Sequence, residues 1–445
     1  MSIIGSASPR NENEEDHTGL LLLAASGLAV GALAGVVASA FHFALDAAER
    51  LLAALLAWAH GYPAVGWVAP ILLAAAAAFV ARWLVRRYAP EAAGSGVQHV
   101  EAVIRGNATS MSAAVLPIKF VGGVLALGAG MALGREGPTV QIGATIGHLW
   151  SRLFKLRTGD GRALLAAGAG AGLAAAFNAP LAGAIFVFEE LVRRFELRVA
   201  VATLSACSAG LVIMRMLIGD RLVFSVPTIV VDVFPGYFLF LVFGGVVGVL
   251  GVLYSRMVVA GLDISDSLRR VPPEIQAAIV GGIVGLLAWV APESIGGGES
   301  QVQAVLNGGH SFAVVATYFA VRLVLGPLSY APGLPGGLFA PLLVIGAGAG
   351  LMFGMGIEIL MPALTTPLAA FAAVGMGALF VAIAGAPVTG IALIVEMTGA
   401  TSLFVPLLTA CASAVAVPAI LGSRPIYDTL QERDAALRRK REDVS

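Results

Sequence analysis

Residues 89–104 read APEAAGSGVQHVEAVI, and residues 291–306 read APESIGGGESQVQAVL. Ala, Pro, Glu, two Gly, Val, Ala and Val coincide without a gap, at a shift of 202. Two further pairs follow in the same order. GREGPTVQIG (134–143) faces GLFAPLLVIG (337–346) at a shift of 203, and the same shift pairs Lys119 with Arg322, each a cation inside an apolar run. APLAGAIFVFE (179–189) faces APVTGIALIVE (386–396) at a shift of 207. One coincidence would mean little in a chain with 55 glycines. Three in sequence, with so small a drift, define two homologous halves, roughly 60–220 and 262–422. Repeats of this kind are typical of ion and solute transporters, with the site at the repeat interface near the midplane. The matches alone leave open whether the halves are parallel or inverted.

Outward from the repeat, composition places the chain in a bilayer. Of its 445 residues 58% are hydrophobic and 12% charged, with a mean hydropathy of +0.90. A soluble domain carries about 25% charged residues, so half the expected charge is missing. Apolar stretches long enough to cross a membrane lie near 18–45, 66–81, 113–133, 163–188, 199–218, 226–254, 276–291, 311–330, 338–362, 366–395 and 402–422. They do not alternate as barrel strands would, and open strand edges cannot face lipid, so an all-α polytopic bundle is expected. Net charge is +0, which gives no reason to expect a nucleic-acid partner. Cys207 and Cys411 sit in separate runs and form no disulfide framework. The six histidines show no metal-ligand spacing. Residues 1–17 are polar, without the pattern of a cleaved signal, and are expected to precede a transmembrane domain over 18–430 and a short charged tail over 431–445 with no appended regulatory domain.

The repeated landmarks carry the chemistry. Gly94-Ser95-Gly96, Gly134-Arg135-Glu136-Gly137-Pro138 and Gly336-Gly337-Leu338-Phe339-Ala340-Pro341 each interrupt an apolar run where a helix should start. Glycine permits left-handed backbone, and proline in a first helical turn forgoes an N–H that would be unpaired there. A helix that begins inside the bilayer presents free N–H groups and the positive end of its dipole. Several such ends aimed at one point bind an anion without a buried cation. Most of the chain's other glycines serve close helix packing.

Acidic groups inside apolar runs cost about +2.5 kcal/mol or more and mark function by default. Glu136 lies in the expected anion site, where its carboxylate competes with an anion for the same donors. Protonation would release them, so anion occupancy and protonation are linked. Glu189 and Glu190 end the run of 179–188, and adjacent helical residues point about 100° apart, so only one can face a pathway. Glu396 matches Glu189 in the repeat, which suggests a structural pair engaged in capping or in pairing with a base. Glu190 has Met397 as its counterpart and is either a half-specific functional group or a solvated helix end beside Arg193 and Arg194. Lys119 and Arg322 are expected to neutralise buried carboxylates, with Glu101 a partner for Lys119.

At these residues the sequence resembles the CLC family of chloride channels and chloride/proton antiporters, bacterial members above all, over about 70–430. GSGVQ (94–98), GREGP (134–138) and GLFAP (337–341) are similar to the three parts of that family's selectivity filter, and AAAFNAPLAG (174–183) and RPIYDTL (424–430) also match. The resemblance implies a homodimer with one pore per subunit, built from two inverted repeats of broken, tilted helices, with no cofactor beyond the transported chloride and proton. It also implies a multi-pass protein of the bacterial inner membrane with both termini cytoplasmic. By position, the Ser95 and Tyr427 hydroxyls and the Leu338 and Phe339 N–H groups would hold a central anion. Glu136 would be the gating glutamate, and Glu190 the internal proton acceptor that antiporters carry. Departures are Gln98, where the family usually has Pro, and His99, where an acid is usual. Ser95 resembles chloride-preferring rather than nitrate-preferring members, and Ser95 with Tyr427 argues against the fluoride-exporting branch. A passive gated channel remains the rival reading. An intramembrane enzyme would need a nucleophile with its base, or paired acids, within the apolar runs, and no such arrangement stands out.

Overall fold

Small residues set how closely the helices of this chain approach, and charged residues stitch the places where helices break. The computed structural model describes residues 9–442 except 109–110, 221, 227–235, 269, 310 and 363–366, and describes no side chains within 9–17 and 438–442. Residues 1–8 of the expected leading segment and 443–445 of the tail therefore lie outside the described residues, as does 227–235 of the expected run 226–254.

The described chain is helical apart from loops, turns and one isolated bridge. It opens with α1 (Pro9–His60), then α2 (Val68–Tyr88), α3 (Val97–Ile104), α4 (Val115–Gly128), α5 (Glu136–Leu153), α6 (Thr158–Phe177), α7 (Pro180–Phe186) and α8 (Leu197–Ile218). The second half runs α9 (Gly236–Ser267), α10 (Pro273–Val290), α11 (Glu299–Asn307), α12 (Phe312–Tyr330), α13 (Phe339–Leu360), α14 (Leu368–Ala384), α15 (Pro387–Thr398) and α16 (Phe404–Ile420), and α17 (Ile426–Glu442) ends the chain. Eight described helices (α1, α2, α8, α9, α10, α12, α13 and α16) are long and apolar enough to cross a bilayer. This is a multi-pass membrane protein.

The halves correspond element by element. Short 3-10 turns at Pro90–Ala92 and Pro292–Ser294 precede α3 and α11. A methyl group on Gly143 of α5 would strike the Gly168 carbonyl of α6, and Gly346 of α13 meets Gly375 of α14 in the same way. Gly31 of α1 packs on the Ala206 carbonyl of α8, and Gly244 of α9 packs on that of Ala410 of α16. The equivalence thus reaches α1 and α9, outside the segments matched in sequence, because the packing keeps small residues while the surrounding letters diverge. Gly134 and Gly337 form an antiparallel bridge, with reciprocal N–H···O bonds of 2.8 and 2.7 Å. Equivalent segments thus meet head to tail about a local two-fold, as they do between inverted repeats.

Two long apolar runs are broken. The apolar stretch 163–188 divides at Asn178 (φ 52°), after which Pro180 opens α7. The stretch 366–395 divides at Gly385 (φ 77°), and Pro387 opens α15. A left-handed residue followed by proline ends one helix and starts another. Each break frees N–H groups that the opposite half satisfies. Val388 N and Thr389 N donate to Glu189 at 2.9 and 2.6 Å, and Leu181 N and Ala182 N donate to Glu396 at 3.0 and 2.7 Å. The repeat-matched glutamates are therefore reciprocal helix caps, as their pairing in the sequence suggested.

The expected role of the two buried cations is corrected. Among the described residues Lys119 meets no carboxylate: its Nζ donates to the Ala92 and Gly94 carbonyls at 3.0 and 2.6 Å. Arg322 donates to Gln301 Oε1 and to the Ile295 and Gly296 carbonyls. Left-handed glycines at 94, 96, 296 and 298 turn these loops out of helical bonding, so their carbonyls need donors. Glu101 pairs with Arg105 and Arg193 instead of Lys119.

Removing one partner of such a buried set leaves polar groups unpaired, at a cost of roughly 2–4 kcal/mol. Arg322→Met is expected to lose about that much stability in detergent unfolding titrations, with Lys119→Met changing in the same direction.

Candidate functional site

The three interrupted segments converge through backbone contacts. Gly336 N donates to Gly94 O at 3.1 Å, joining the third to the first, and the Gly134–Gly337 bridge joins the third to the second. Gly94 and Gly96 are left-handed, with φ of 63° and 82°. A methyl group on Gly96 would overlap the Gln141 amide, and one on Gly137 would lie 2.9 Å from Ser95 Oγ. Backbone from all three segments is thus packed around one point, and α3, α5 and α13 begin there. Pro138 and Pro341 stand third in α5 and α13, where no intrahelical donor is lost.

Glu136, the first residue of α5, crosses to the other half. Its Oε1 accepts from Phe339 N at 2.7 Å and Ala340 N at 3.2 Å, while Oε2 has no hydrogen-bond partner. The residue is 1% exposed. A carboxylate therefore sits on the N-terminal turn of a buried helix, the place where a free anion would sit. The donors it uses are one position on from the expected Leu338 and Phe339 pair.

Ser95 and Tyr427 stand beside this point. Both are 1% exposed, and neither hydroxyl makes a hydrogen bond of normal geometry, although the two interact electrostatically. The Tyr427 ring meets that of Phe339 edge-on at 5.8 Å. Buried hydroxyls left without partners are candidates for holding a ligand. Tyr330, which the sequence did not single out, accepts from Ser95 N at 3.2 Å. Gln141, also unforeseen, donates to Glu91 O at 2.8 Å and walls in Gly96. A glutamine has no period or motif to betray it within an apolar helix.

Not every member of the three motifs turns inward. The Arg135 guanidinium points away, to His42 Nδ1 at 2.7 Å and Glu299 at 3.1 Å. Val97 and Gln98 begin α3. Gln98 and His99 line a cavity of about 1020 Å³ whose walls include Arg105, Arg193, Asp428 and Glu432. Glu190 lies deeper, 2% exposed, with Oε1 3.6 Å from Arg193 Nη2 and no hydrogen-bond partner. Of the two adjacent acids, Glu189 is the cap and Glu190 is the one left unbonded at Oε1.

Among the described residues no group of His, Cys, Asp and Glu could hold a metal ion. The arrangement can bind an anion by N–H groups and hydroxyls, and two carboxyls, Glu136 and Glu190, are buried in the same region.

Comparison with known proteins gives a consistent picture. The family model described as "Voltage gated chloride channel" matches residues 77–419. The H(+)/Cl(-) exchange transporter ClcA of Vibrio parahaemolyticus serotype O3:K6 is 38% identical over 411 residues, 91% of this chain and 88% of that protein. The protein of the same name from Citrobacter koseri is 35% identical over 431 residues, 95% and 90% of the two chains. Among solved structures, a slow cyanobacterial Cl-/H+ antiporter superposes with a TM-score of 0.89 at 33% identity, covering 97% of this chain and 99% of that one. A CLC-type fluoride/proton antiporter, 23% identical over 89% and 95% of the chains, shares the fold with a TM-score of 0.76.

Gly96→Ala would add left-handed strain and a clash with Gln141. A cost of 1–3 kcal/mol is expected for such backbone. Halide binding measured by titration calorimetry should weaken by about tenfold or more.

Proposed function

The chain belongs to the voltage gated chloride channel family, and on that premise we propose that it exchanges chloride for protons across the membrane, with Glu136 as the gate and Glu190 as the internal proton acceptor. The observation that carries this reading is the Glu136 carboxylate on the Phe339 and Ala340 N–H groups. An ionised Glu136 holds those donors and closes the path. A protonated one accepts less strongly and yields them to chloride, so each proton taken up opens the site to an anion. Ser95, Tyr427 and the Leu338 and Phe339 backbone hold the central anion, and Lys119 supports the Gly94 turn that shapes it.

Glu190 favours exchange over passive conduction. A buried carboxyl beside Arg193, which lines the cavity at α17, is costly unless it has a task. In this reading a proton passes between Glu190 and Glu136. The protein works as a homodimer with one pathway per subunit, in the bacterial inner membrane, with α17 and the cavity facing the cytoplasm. Chloride and protons are its partners, and it acts on no nucleic acid.

Flux through the purified protein in liposomes tests this reading. A chloride gradient should drive protons uphill, and protons that follow only their own gradient would make the protein a channel. Losing a proton-transfer group costs about 10²–10⁴-fold in rate. Glu136→Gln should therefore cut proton movement by about a hundredfold or more while chloride still crosses. Glu190→Gln should likewise stop protons and leave chloride moving, and full coupling in that variant would remove Glu190 from the mechanism.

A further inference from the structure

The segment between α7 and α8 is unusual in its backbone. Residues Val187–Leu191 form a π turn, closed by a bond of 2.9 Å from Val192 N to Val187 O. Arg193 then takes φ 56°, one of three described non-glycine residues in the left-handed region. Single π turns recur at functional sites, and a left-handed bulky residue persists only where its surroundings hold it.

The effect is to fold the Arg193 guanidinium back over the turn. Its Nε donates to Glu190 O at 3.3 Å. Its Nη2 lies 2.7 Å from Asp428 Oδ1, 3.3 Å from Glu101 Oε1 and 3.6 Å from Glu190 Oε1. One nitrogen is thus shared by carboxylates from three elements. Asp428 stands next to Tyr427 at the start of α17, so the same cation touches the proton acceptor and the helix that carries the inner anion ligand.

We infer that Arg193 is a positioning residue that links the protonation of Glu190 to the placement of Tyr427. The inference rests on the antiport reading above. With Glu190 ionised, three carboxylates compete for Nη2. When Glu190 takes a proton it ceases to compete, and Arg193 closes on Asp428 and Glu101, drawing the start of α17 toward α3. Linkage requires the converse: a start of α17 that moves away frees Arg193 for Glu190 and disfavours its protonation. The other charged groups near Glu190 are Arg105 on α3 and Asp428 on α17, and Arg424, Glu432 and Asp434 stand on the cavity wall. Arg105 already belongs to Glu101. Among the described residues, Arg193 is the cation within ion-pair distance of both Glu190 and Asp428.

Paired chloride and proton fluxes in liposomes, measured against pH on the cavity side, test the assignment. Arg193→Gln should raise the chloride moved per proton several-fold. It should also move the pH dependence of proton flux to the alkaline side by about one unit, because an opposite charge at this range displaces a carboxyl by roughly that much. Arg193→Lys should bring the pH dependence most of the way back while the ratio stays altered, since a point charge lacks the fork that spans two partners. Asp428→Asn, which leaves Arg193 in place, should raise the same ratio without the alkaline displacement. A merely structural role would lower both fluxes together at an unchanged ratio, and that result overturns the inference. An unchanged ratio and profile in Arg193→Gln and Asp428→Asn, with wild type exchanging normally, overturns it alone. Wild type that fails to couple overturns it together with the antiport reading.

Discussion

A carboxylate oxygen held by two backbone N–H groups at the start of a buried helix is the contact on which this structure turns. Glu136 on α5 occupies the N-terminus of α13, and the two helices come from opposite halves of the chain. Several features that look separate are conditions for that contact. Both helices must begin inside the protein, which the Gly134–Gly337 bridge arranges by bringing equivalent residues together head to tail. Backbone must approach from a third side, which left-handed Gly94 and Gly96 allow. The carbonyls those turns expose must be satisfied without water, which Lys119 does. A site built in this way carries partial charges rather than a full cation, so an anion can enter and still leave.

Symmetry lowers what the scaffold has to specify. The same devices serve twice: Lys119 and Arg322 bind turn carbonyls, and Glu189 and Glu396 cap α15 and α7. The two carboxyls to which we assign function stand where the symmetry is broken. Glu136 faces Phe339 in the repeat and Glu190 faces Met397, so each carboxyl has an apolar counterpart. The chain builds one frame from two copies and places these two buried carboxyls in one of them.

The sequence disclosed the frame because the frame is written in glycine, proline and isolated charge, residue types whose backbone and burial demands are narrow. The convergence of the segments at Gly134 and Gly337 and the burial of Glu136 were legible for that reason, whereas spacing left Glu190 open between a functional group and a solvated helix end, and left Glu189 and Glu396 open between capping and pairing with a base. Broken helices were expected, but the positions of the breaks at Asn178 and Gly385 were not, because apolar residues continue on both sides of them and hydrophobicity carries no record of chain direction. Lys119 and Arg322 were noticed but given the wrong partners. A buried cation suggests a carboxylate, whereas here the carbonyls of non-helical turns were in need. Tyr330, Gln141 and the threefold pairing of Arg193 depend on contacts more than 40 residues distant in the chain or on a left-handed residue, which no local pattern announces.

The central claim is that the carboxyl of Glu136 and a halide compete for one set of N–H groups. Anomalous scattering from bromide-soaked crystals reads this at the atoms concerned. The account expects a bromide peak against Phe339 N and Ala340 N in Glu136→Gln and none there in wild type at neutral pH. A bromide seated on those two donors beside an undisturbed Glu136 carboxylate, or no bromide there in the variant, would contradict it.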